Sequence, residues 1–447
     1  MTEQAVSLLD RHPWVDKAWW DPDRTAIMVR PTVEAVAVRP RPGPLLLEQL
    51  DHWRHVYEYV YSVAADRHGD DLDLSGWRAS DTGRSFPRAH MIEWIDHAVG
   101  LVLRGNPDVV LELGCGSGLI AHRVHRKVRA YIGLDVAEPA VARLRDQALP
   151  GVRVLHGAAH DVASKEVARA LRAATGSPSP APDCIVLNSV TPCFPNERYL
   201  TAVLDDALDL VAPGGTVIVG DVRNLASAPS FARWLESARN PGVPEPELTR
   251  RAADRIAAEE ELLCDPRLFT KIARRHPRDV QVTCYAKPLR ADTELTRYRY
   301  DVVYTVDGPV PPPVHTIAWA DLSGTFAERL ATVTGDGKFM LITGIPNALL
   351  DGGIPGAVTP AELAAAIPAS WAVLLDSPDG RLLAVGPPGH QAERDAISDP
   401  QPHPGCNDPF ARFVRRRLPE MLTDHLERHA PATALPDIVV AEEPITP

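Results

Sequence analysis

The sequence predicts an α/β fold: a parallel sheet with helices on both faces. Three observations predict it. Five apolar runs of strand length alternate with helical patterns, the first run leads into a glycine turn (VVLELGCGSG, Val109 to Gly118), and the second ends on an acid (YIGLD, Tyr131 to Asp135).

The runs are Val109 to Leu113, Ala130 to Asp135, Val152 to Gly157, Cys184 to Ser189 and Thr216 to Asp221. Continuous apolar stretches of this length suit strands buried on both faces, and the segments between them carry helical spacing. Val141, Leu144 and Ala148 make one such stripe, and Leu200, Val203, Leu204, Ala207, Leu208 and Val211 make a fuller one that stops at Pro213-Gly214-Gly215. In an open parallel sheet, ligands sit at the carboxyl ends of the strands, where Gly114, Asp135 and Asn188 fall. Beyond Asp221 the pattern changes. RRAADRIAAEEELL, Arg250 to Leu263, reads as a charged helix, with Glu259, Glu260 and Glu261 on a solvated face. Val280 to Lys287 and Arg299 to Val306 read as strands completing the sheet in antiparallel fashion.

At 447 residues the chain exceeds one ordinary core at about 150 residues per domain. Its 45% hydrophobic and 24% charged residues are globular values, and its 43 prolines imply long connections. A net charge of -12 argues against a broad nucleic-acid surface. The six cysteines show no CxxC spacing, so neither a metal site nor a disulfide framework is expected. No apolar run approaches about 18 residues and no charged-then-apolar leader opens the chain, so a cytoplasmic protein without membrane attachment is expected.

The turn selects a ligand class. Gly114, Gly116 and Gly118 permit a tight turn and close backbone approach, and Asp135 is suited to accept two ribose hydroxyls, so an adenosine-containing cofactor is expected. A dinucleotide fingerprint requires GxGxxG, but position 119 is Leu and the pattern is ExGxGxG from Glu112. Glu112 would repel a pyrophosphate and attract the ammonium of a methionine moiety. This pattern resembles the class I S-adenosylmethionine-dependent methyltransferases, which implies a Rossmann-like sheet.

The resemblance narrows when further blocks are added. WRHVYEYVY, GWRASDTGRSFP, the glycine turn, VLNSV, GDVRNL, EEELLCDPRLF and ELTRYRYDVVY stand in the same order as in the methyltransferase domains embedded in nonribosomal peptide synthetases, over Leu47 to Asp307. The resemblance implies methylation of an amino acid held on a carrier protein. It implies a cofactor site drawn from Glu112, Gly114, Cys115, Gly116, Asp135, Val136, Ala159, His160, Asp161, Asn188, Ser189 and Tyr57. Tyr57 belongs to an aromatic stripe with Trp53 and Tyr61, spaced by four, that would exclude water from a sulfonium.

The flanks are similar to an adenylation domain's small C-terminal subdomain. SLLDRHPWVDKAWW, from Ser7, resembles its opening, and the segment from Cys406 resembles its end. The expected organisation is therefore a first half of that α+β remnant at 1–44, a methyltransferase domain at 45–308, a small αβ extension at 314–385, a linker at 386–405 and a second half of the remnant at 406–447. The family continues past the equivalent of Pro447 with a glycine and the adenylating lysine, and the large adenylation core is absent, so adenylation is not expected. The insertion point goes with backbone N-methylation in the family.

Several positions depart from the family pattern. NSVVQYFP is NSVTPCFP here, with Pro192 and Cys193 replacing Gln and Tyr; SSYTG is ASDTG, with Asp81; NELTR is TELTR, with Thr293. The family's ADD is Ala159-His160-Asp161, so an adenine-amine contact falls to His160 or Asp161. For catalysis, Asn188 is expected to accept an N–H and aim the amine lone pair. Glu294 is expected as base or ammonium anchor with Tyr298 orienting it, on one face of an extended run that includes Thr296 and Tyr300. Asp221 and Arg223 are expected to pair structurally. The acceptor is a carrier-bound aminoacyl thioester or a free small molecule methylated on oxygen, sulfur or carbon, with other synthetase domains as partners. A non-catalytic docking scaffold is the remaining alternative.

Overall fold

Strands form where the continuous apolar runs stand, because those residues can be covered from both sides. The computed structural model describes residues 2–63, 71–178, 180–311, 313–334, 340–389, 404–429 and 436–441. The chain divides into two units: one of Met1–Val56, Cys193–Ala202 and Asp408–Pro447, the other of Tyr57–Pro192 and Val203–Asn407.

In the first unit, β1 (Val15–Asp21) and β2 (Ala26–Pro31) form an antiparallel hairpin, and β14 (Asp437–Val440) lies parallel to β2. Helix α1 (Thr2–Leu9) and the helix Pro409–His429 belong to the same unit. The first and last segments of the chain therefore belong to one unit.

The second unit carries the sheet. Its strands are β3 (Val109–Leu113), β4 (Ala130–Asp135), β5 (Val152–His156), β6 (Cys184–Asn188), β7 (Thr216–Arg223), β8 (Val280–Ala286), β9 (Arg299–Val306), β10 (His315–Ala318), β11 (Met340–Pro346), β12 (Ala372–Leu375) and β13 (Leu382–Gly386). The eleven run in the order β10-β11-β13-β12-β8-β9-β7-β6-β3-β4-β5. The five strands expected to be parallel are parallel, and β9 pairs antiparallel with both β7 and β8, as the sequence predicts. Every residue of β3 and β4 is buried, which is what a strand covered on both faces requires.

Two expectations are corrected. The charged helix runs over Glu245–Ala257 and stops before the three glutamates. Arg223, at the end of β7, draws Glu259 to 2.8 Å and Glu261 to 2.7 Å. Residues two apart point to different sides of a helix, so this clamp is incompatible with continued helix. The 314–385 extension does not stand apart, because β10 to β13 continue the main sheet through Leu374 of β12, which pairs with Tyr285 of β8. Of the expected linker 386–405, residues 390–403 lie outside the described residues. Residues past it return to the body, where Asn407 Oδ1 accepts from the Leu263 N–H at 2.8 Å and its amide donates to the Glu261 carbonyl at 2.9 Å. Among the described residues no helix is long and apolar enough to cross a membrane.

Candidate active site

The glycine turn occupies the carboxyl end of β3. Gly114 and Gly116 have φ of +78° and +49°, the left-handed region that favours glycine. Space enforces the same choice. A Cβ on Gly114 would fall 2.3 Å from a Val190 methyl, and one on Gly116 would fall 2.5 Å from the Tyr61 hydroxyl. Asp135, at the tip of β4, accepts from the Gly116 N–H at 2.7 Å through Oδ2 and from the Ala137 N–H at 2.8 Å through Oδ1. The carboxylate is thereby oriented, and each oxygen retains acceptor capacity for a further donor. Burial raises its pKa, against the opposing pull of those two N–H groups.

Glu112 lies within β3, 3% exposed, and accepts a hydrogen bond from the Tyr131 hydroxyl. Burial pushes its carboxyl up to about 8, outweighing that bond, with the charge of Asp135 acting in the same direction as burial. Val136 follows Asp135, and its carbonyl accepts from His156 Nε2 at 3.0 Å. Ala159, His160 and Asp161 form a short 3-10 turn after β5 in which Asp161 Oδ2 accepts from the Ala158 N–H at 2.9 Å. Asp161 thus caps its own turn with one oxygen.

Two of the expected cofactor residues are corrected. Cys115 is a packing residue: a Cβ on Gly133 would fall 2.7 Å from its sulfur, its N–H bonds the Leu134 carbonyl at 3.2 Å, and its carbonyl accepts from Gly118 at 2.9 Å. Its sulfur faces the core, and burial drives its thiol pKa well up. On helix α2 (Pro44–Val63), Tyr57 stacks 6.0 Å from Tyr61, and it is Tyr61, one turn on, that meets the glycine turn. The spacing-four stripe contained both residues and did not distinguish them.

The residues expected to meet the acceptor lie at and near the tips of β6 and β7. Ser189 and Asp221 have φ of +58° and +61°, unusual for residues with side chains. Asn188 lays its side-chain carbonyl over Gly220 of β7, where a Cβ would fall 2.2 Å from Oδ1. Asp221 is fully buried within a charge network. Trp94 Nε1, on helix α3 (Arg88–Leu103), donates to Oδ1 at 3.0 Å, Ser189 Oγ donates to Oδ2 at 2.8 Å, and Arg299 pairs with Oδ2. Lys287, itself 1% exposed, stands 3.3 Å from Asp221 and 2.6 Å from Asp301, and His97 of α3 reaches Asp301 at 2.8 Å. Burial alone would raise both carboxyl pKa values. Arg299 and Lys287 at Asp221, and Lys287 with the hydrogen bond from His97 at Asp301, outweigh it and hold both below the usual range. The expected Asp221–Arg223 pair is therefore not formed, because Arg223 is committed to Glu259 and Glu261.

Glu294 is 6% exposed, and its carboxylate accepts from the Ser80 N–H at 2.9 Å and the Ser80 hydroxyl at 2.8 Å. It clamps the loop bearing the ASDTG block. The run is not extended there: Glu294–Arg297 is a helical turn, and β9 begins only at Arg299. Tyr298 consequently does not orient Glu294. Its ring packs 5.3 Å from Phe231 and 5.8 Å from Trp234, and its hydroxyl is paired with Arg297. Sequence reasoning missed Trp94, His97, Lys287, Asp301 and Ser80. A lysine closing an otherwise apolar strand at Lys287 was the one available signal.

The family model of a methyltransferase domain matches residues 84–252. The chain carries a methyltransferase domain. The match covers the glycine turn, Asp135, Asn188 and Asp221. The chain is 30% identical over 510 residues to the chondramide synthase of Chondromyces crocatus, an alignment covering 98% of this chain and 12% of that protein. It is 37% identical over 310 residues to a probable non-canonical nonribosomal peptide synthetase of Salinispora arenicola, covering 68% of this chain and 4% of that one. The chain thus spans about an eighth or less of the curated relatives it matches. The solved structure of the N-methyltransferase NodS from Bradyrhizobium japonicum aligns over 56% of this chain and 98% of its own at 13% identity and a TM-score of 0.34, a likeness that carries no argument.

The cofactor of the methyltransferase domain is S-adenosylmethionine. The residues fit it: the turn leaves no room for side chains at Gly114 and Gly116, and Asp135 is oriented with acceptor capacity to spare.

The network at the acceptor end stands only as a set. Replacing Lys287 with Met leaves two buried carboxylates facing each other with one cation fewer, and is expected to cost about 3 to 5 kcal/mol. Urea unfolding of the variant measures this; a loss below about 1 kcal/mol would show that the pairing carries little of the fold.

Proposed function

We propose that this methyltransferase domain N-methylates the α-amine of an aminoacyl thioester held on a carrier protein of a peptide synthetase. The observation that carries the reading is an alignment along 98% of the chain, flanks included, with a chondramide synthase, beside one along 68% of the chain with a probable nonribosomal peptide synthetase. Its support is strengthened by the first and last segments folding together while the methyltransferase sheet lies in the other unit, the arrangement of a domain inserted into another. We read the outer unit as the adenylation-type remnant.

The choice of nitrogen follows from the acid–base groups at the acceptor end. Asp221 is held ionised by two cations, and the Glu294 carboxylate, accepting one bond from Ser80 on each oxygen, is fixed as an anchor of the loop. Neither is arranged as a dedicated strong base. A hydroxyl acceptor needs one, whereas an α-amine with a pKa near 8 is already partly neutral at pH 7. We therefore assign Glu294 the role of holding the loop over the site and Asn188 that of accepting an amine N–H, with Ser189 supporting the network beneath. The cofactor supplies an electrophilic methyl carbon when bound. Glu112 would face its ammonium, Asp135 its ribose, and Ala159 to Asp161 its adenine, while Tyr61 shields the site from water.

The direct test is incubation with labelled cofactor and a panel of aminoacyl carrier proteins beside the free amino acids, with mass spectrometry of the products. Label on the nitrogen of carrier-bound substrate is expected; label confined to free substrates, or to oxygen, overturns the reading.

Glu112 makes cofactor binding sensitive to pH. Its free carboxyl holds a proton below about 8, and pairing with an ammonium requires that the proton leave. Binding should therefore release a proton and tighten as pH rises from 6 to 7.5. Calorimetry in two buffers of different ionisation heat reads this release, and Glu112→Gln should abolish it. Identical heats for the unaltered protein would mean that Glu112 does not face the ammonium.

Gly220→Ala pushes the Asn188 amide off its seat. It should lower methyl transfer as Asn188→Ala does, by about fivefold or more, with cofactor affinity preserved, because one misaimed hydrogen bond is worth about 1 kcal/mol or more. Full activity in both variants would remove Asn188 from the acceptor site.

A further inference from the structure

Arg299 opens β9 at the tips of β6 and β7, with its side chain 15% exposed. Its Nη1 donates to Asp221 Oδ2 and, at 3.3 Å, to Ser189 Oγ. Nε and Nη2 make no hydrogen bond among the described residues. A guanidinium has five donors, so three remain unspent on a group that is mostly enclosed.

Its position gives those donors an address. Ser189 lies between Asn188, whose amide rests on Gly220, and Val190, whose methyl closes against Gly114 of the cofactor turn. Arg299 Nη1 reaches Ser189 Oγ at 3.3 Å, so the guanidinium stands against the residue that follows Asn188 in the chain. An amine held at Asn188 would have its acyl group within the span of one residue of that guanidinium.

Charge distinguishes the possible acyl groups. Asp221 and Asp301 supply two negative charges, and Lys287 and Arg299 two positive ones. The cluster is already neutral, so a carboxylate would add an uncompensated anion at a poorly solvated position, whereas a neutral carbonyl would accept N–H bonds without that cost.

We propose that Arg299 is a specificity-determining residue: the unspent N–H groups of its guanidinium, held by Asp221 beside Ser189, bind the carbonyl oxygen of an α-aminoacyl thioester and disfavour the free amino acid. The inference rests on the amine-methylation reading above and names what that site recognises beyond the nitrogen. Lys at this position keeps the charge opposite Asp221 but loses the fork, so R299K separates recognition from folding.

The experiment compares the full chain and R299K on three acceptors sharing one amino acid side chain: the N-acetylcysteamine thioester, the free amino acid, and the decarboxylated amine. The unaltered protein should favour the thioester over both others. R299K should raise KM for the thioester about ten- to hundredfold, the range for one hydrogen bond to a charged donor. Its KM for the decarboxylated amine should rise at least about tenfold less than its KM for the thioester. Equal use of thioester and decarboxylated amine by the unaltered protein, or an unchanged thioester KM in R299K, overturns the inference while leaving amine methylation standing. Transfer to none of the three acceptors nor to a carrier-bound amine overturns the functional reading, and the inference falls with it.

Discussion

Two carboxylates and two cations buried at the tips of the central strands are the constraint on which the acceptor end depends. Asp221, Asp301, Lys287 and Arg299 join β7, the end of β8 and β9, and through Trp94, His97 and Ser189 they reach α3 and β6. Buried charge is tolerated only when paired and hydrogen-bonded, so each member fixes the position of the others. The left-handed backbone at Asp221 and Ser189 persists because so many bonds determine it. The same pairing has a chemical consequence. A carboxylate held by two cations is a poor proton acceptor, which supports the proposed amine acceptor, a nucleophile that needs no deprotonation once it is neutral.

The cofactor end is organised differently, and this difference decides what the sequence could reveal. The turn from Gly114 to Gly118 and the acid at Asp135 lie within one strand-turn-helix-strand passage, and the steric demand that makes them glycines is local. Their spacing was therefore readable, including the missing glycine at Leu119 that spoke against a dinucleotide. Cys115 sits inside the same passage yet faces the core, because a turn presents successive residues in different directions; sequence proximity alone could not tell it from its neighbours.

The acceptor end depends on pairs distant in sequence. Trp94 meets Asp221 across 127 residues and His97 meets Asp301 across 204, and nothing in local periodicity links such positions. Glu294 shows how a correct choice of residue can carry the wrong local structure: the alternation around ELTRYRY suggested a strand, but a helical turn forms first and turns its carboxylate toward Ser80. Glu259 and Glu261, rather than Asp221, became the partners of Arg223, and that clamp ended the helix expected there. The sheet itself was legible as far as β9. Its continuation through β10 to β13 was not, because those strands are short and join through the single Leu374–Tyr285 pairing.

These observations describe a domain in which local sequence builds the cofactor cradle and long-range charge pairing builds the acceptor cradle. Its central claim is that the protein aims an amine and does not deprotonate it. The pH dependence of methyl transfer at saturating cofactor, compared for carrier-bound acceptors whose amine pKa values differ, tests this most directly. The rate at limiting acceptor should rise tenfold per pH unit up to the pKa of the acceptor's own amine, near 8 for an ordinary α-amine, level off above it, and move with that pKa when the acceptor changes. A profile that stays fixed while the acceptor's pKa is varied would report an enzyme base and contradict the account.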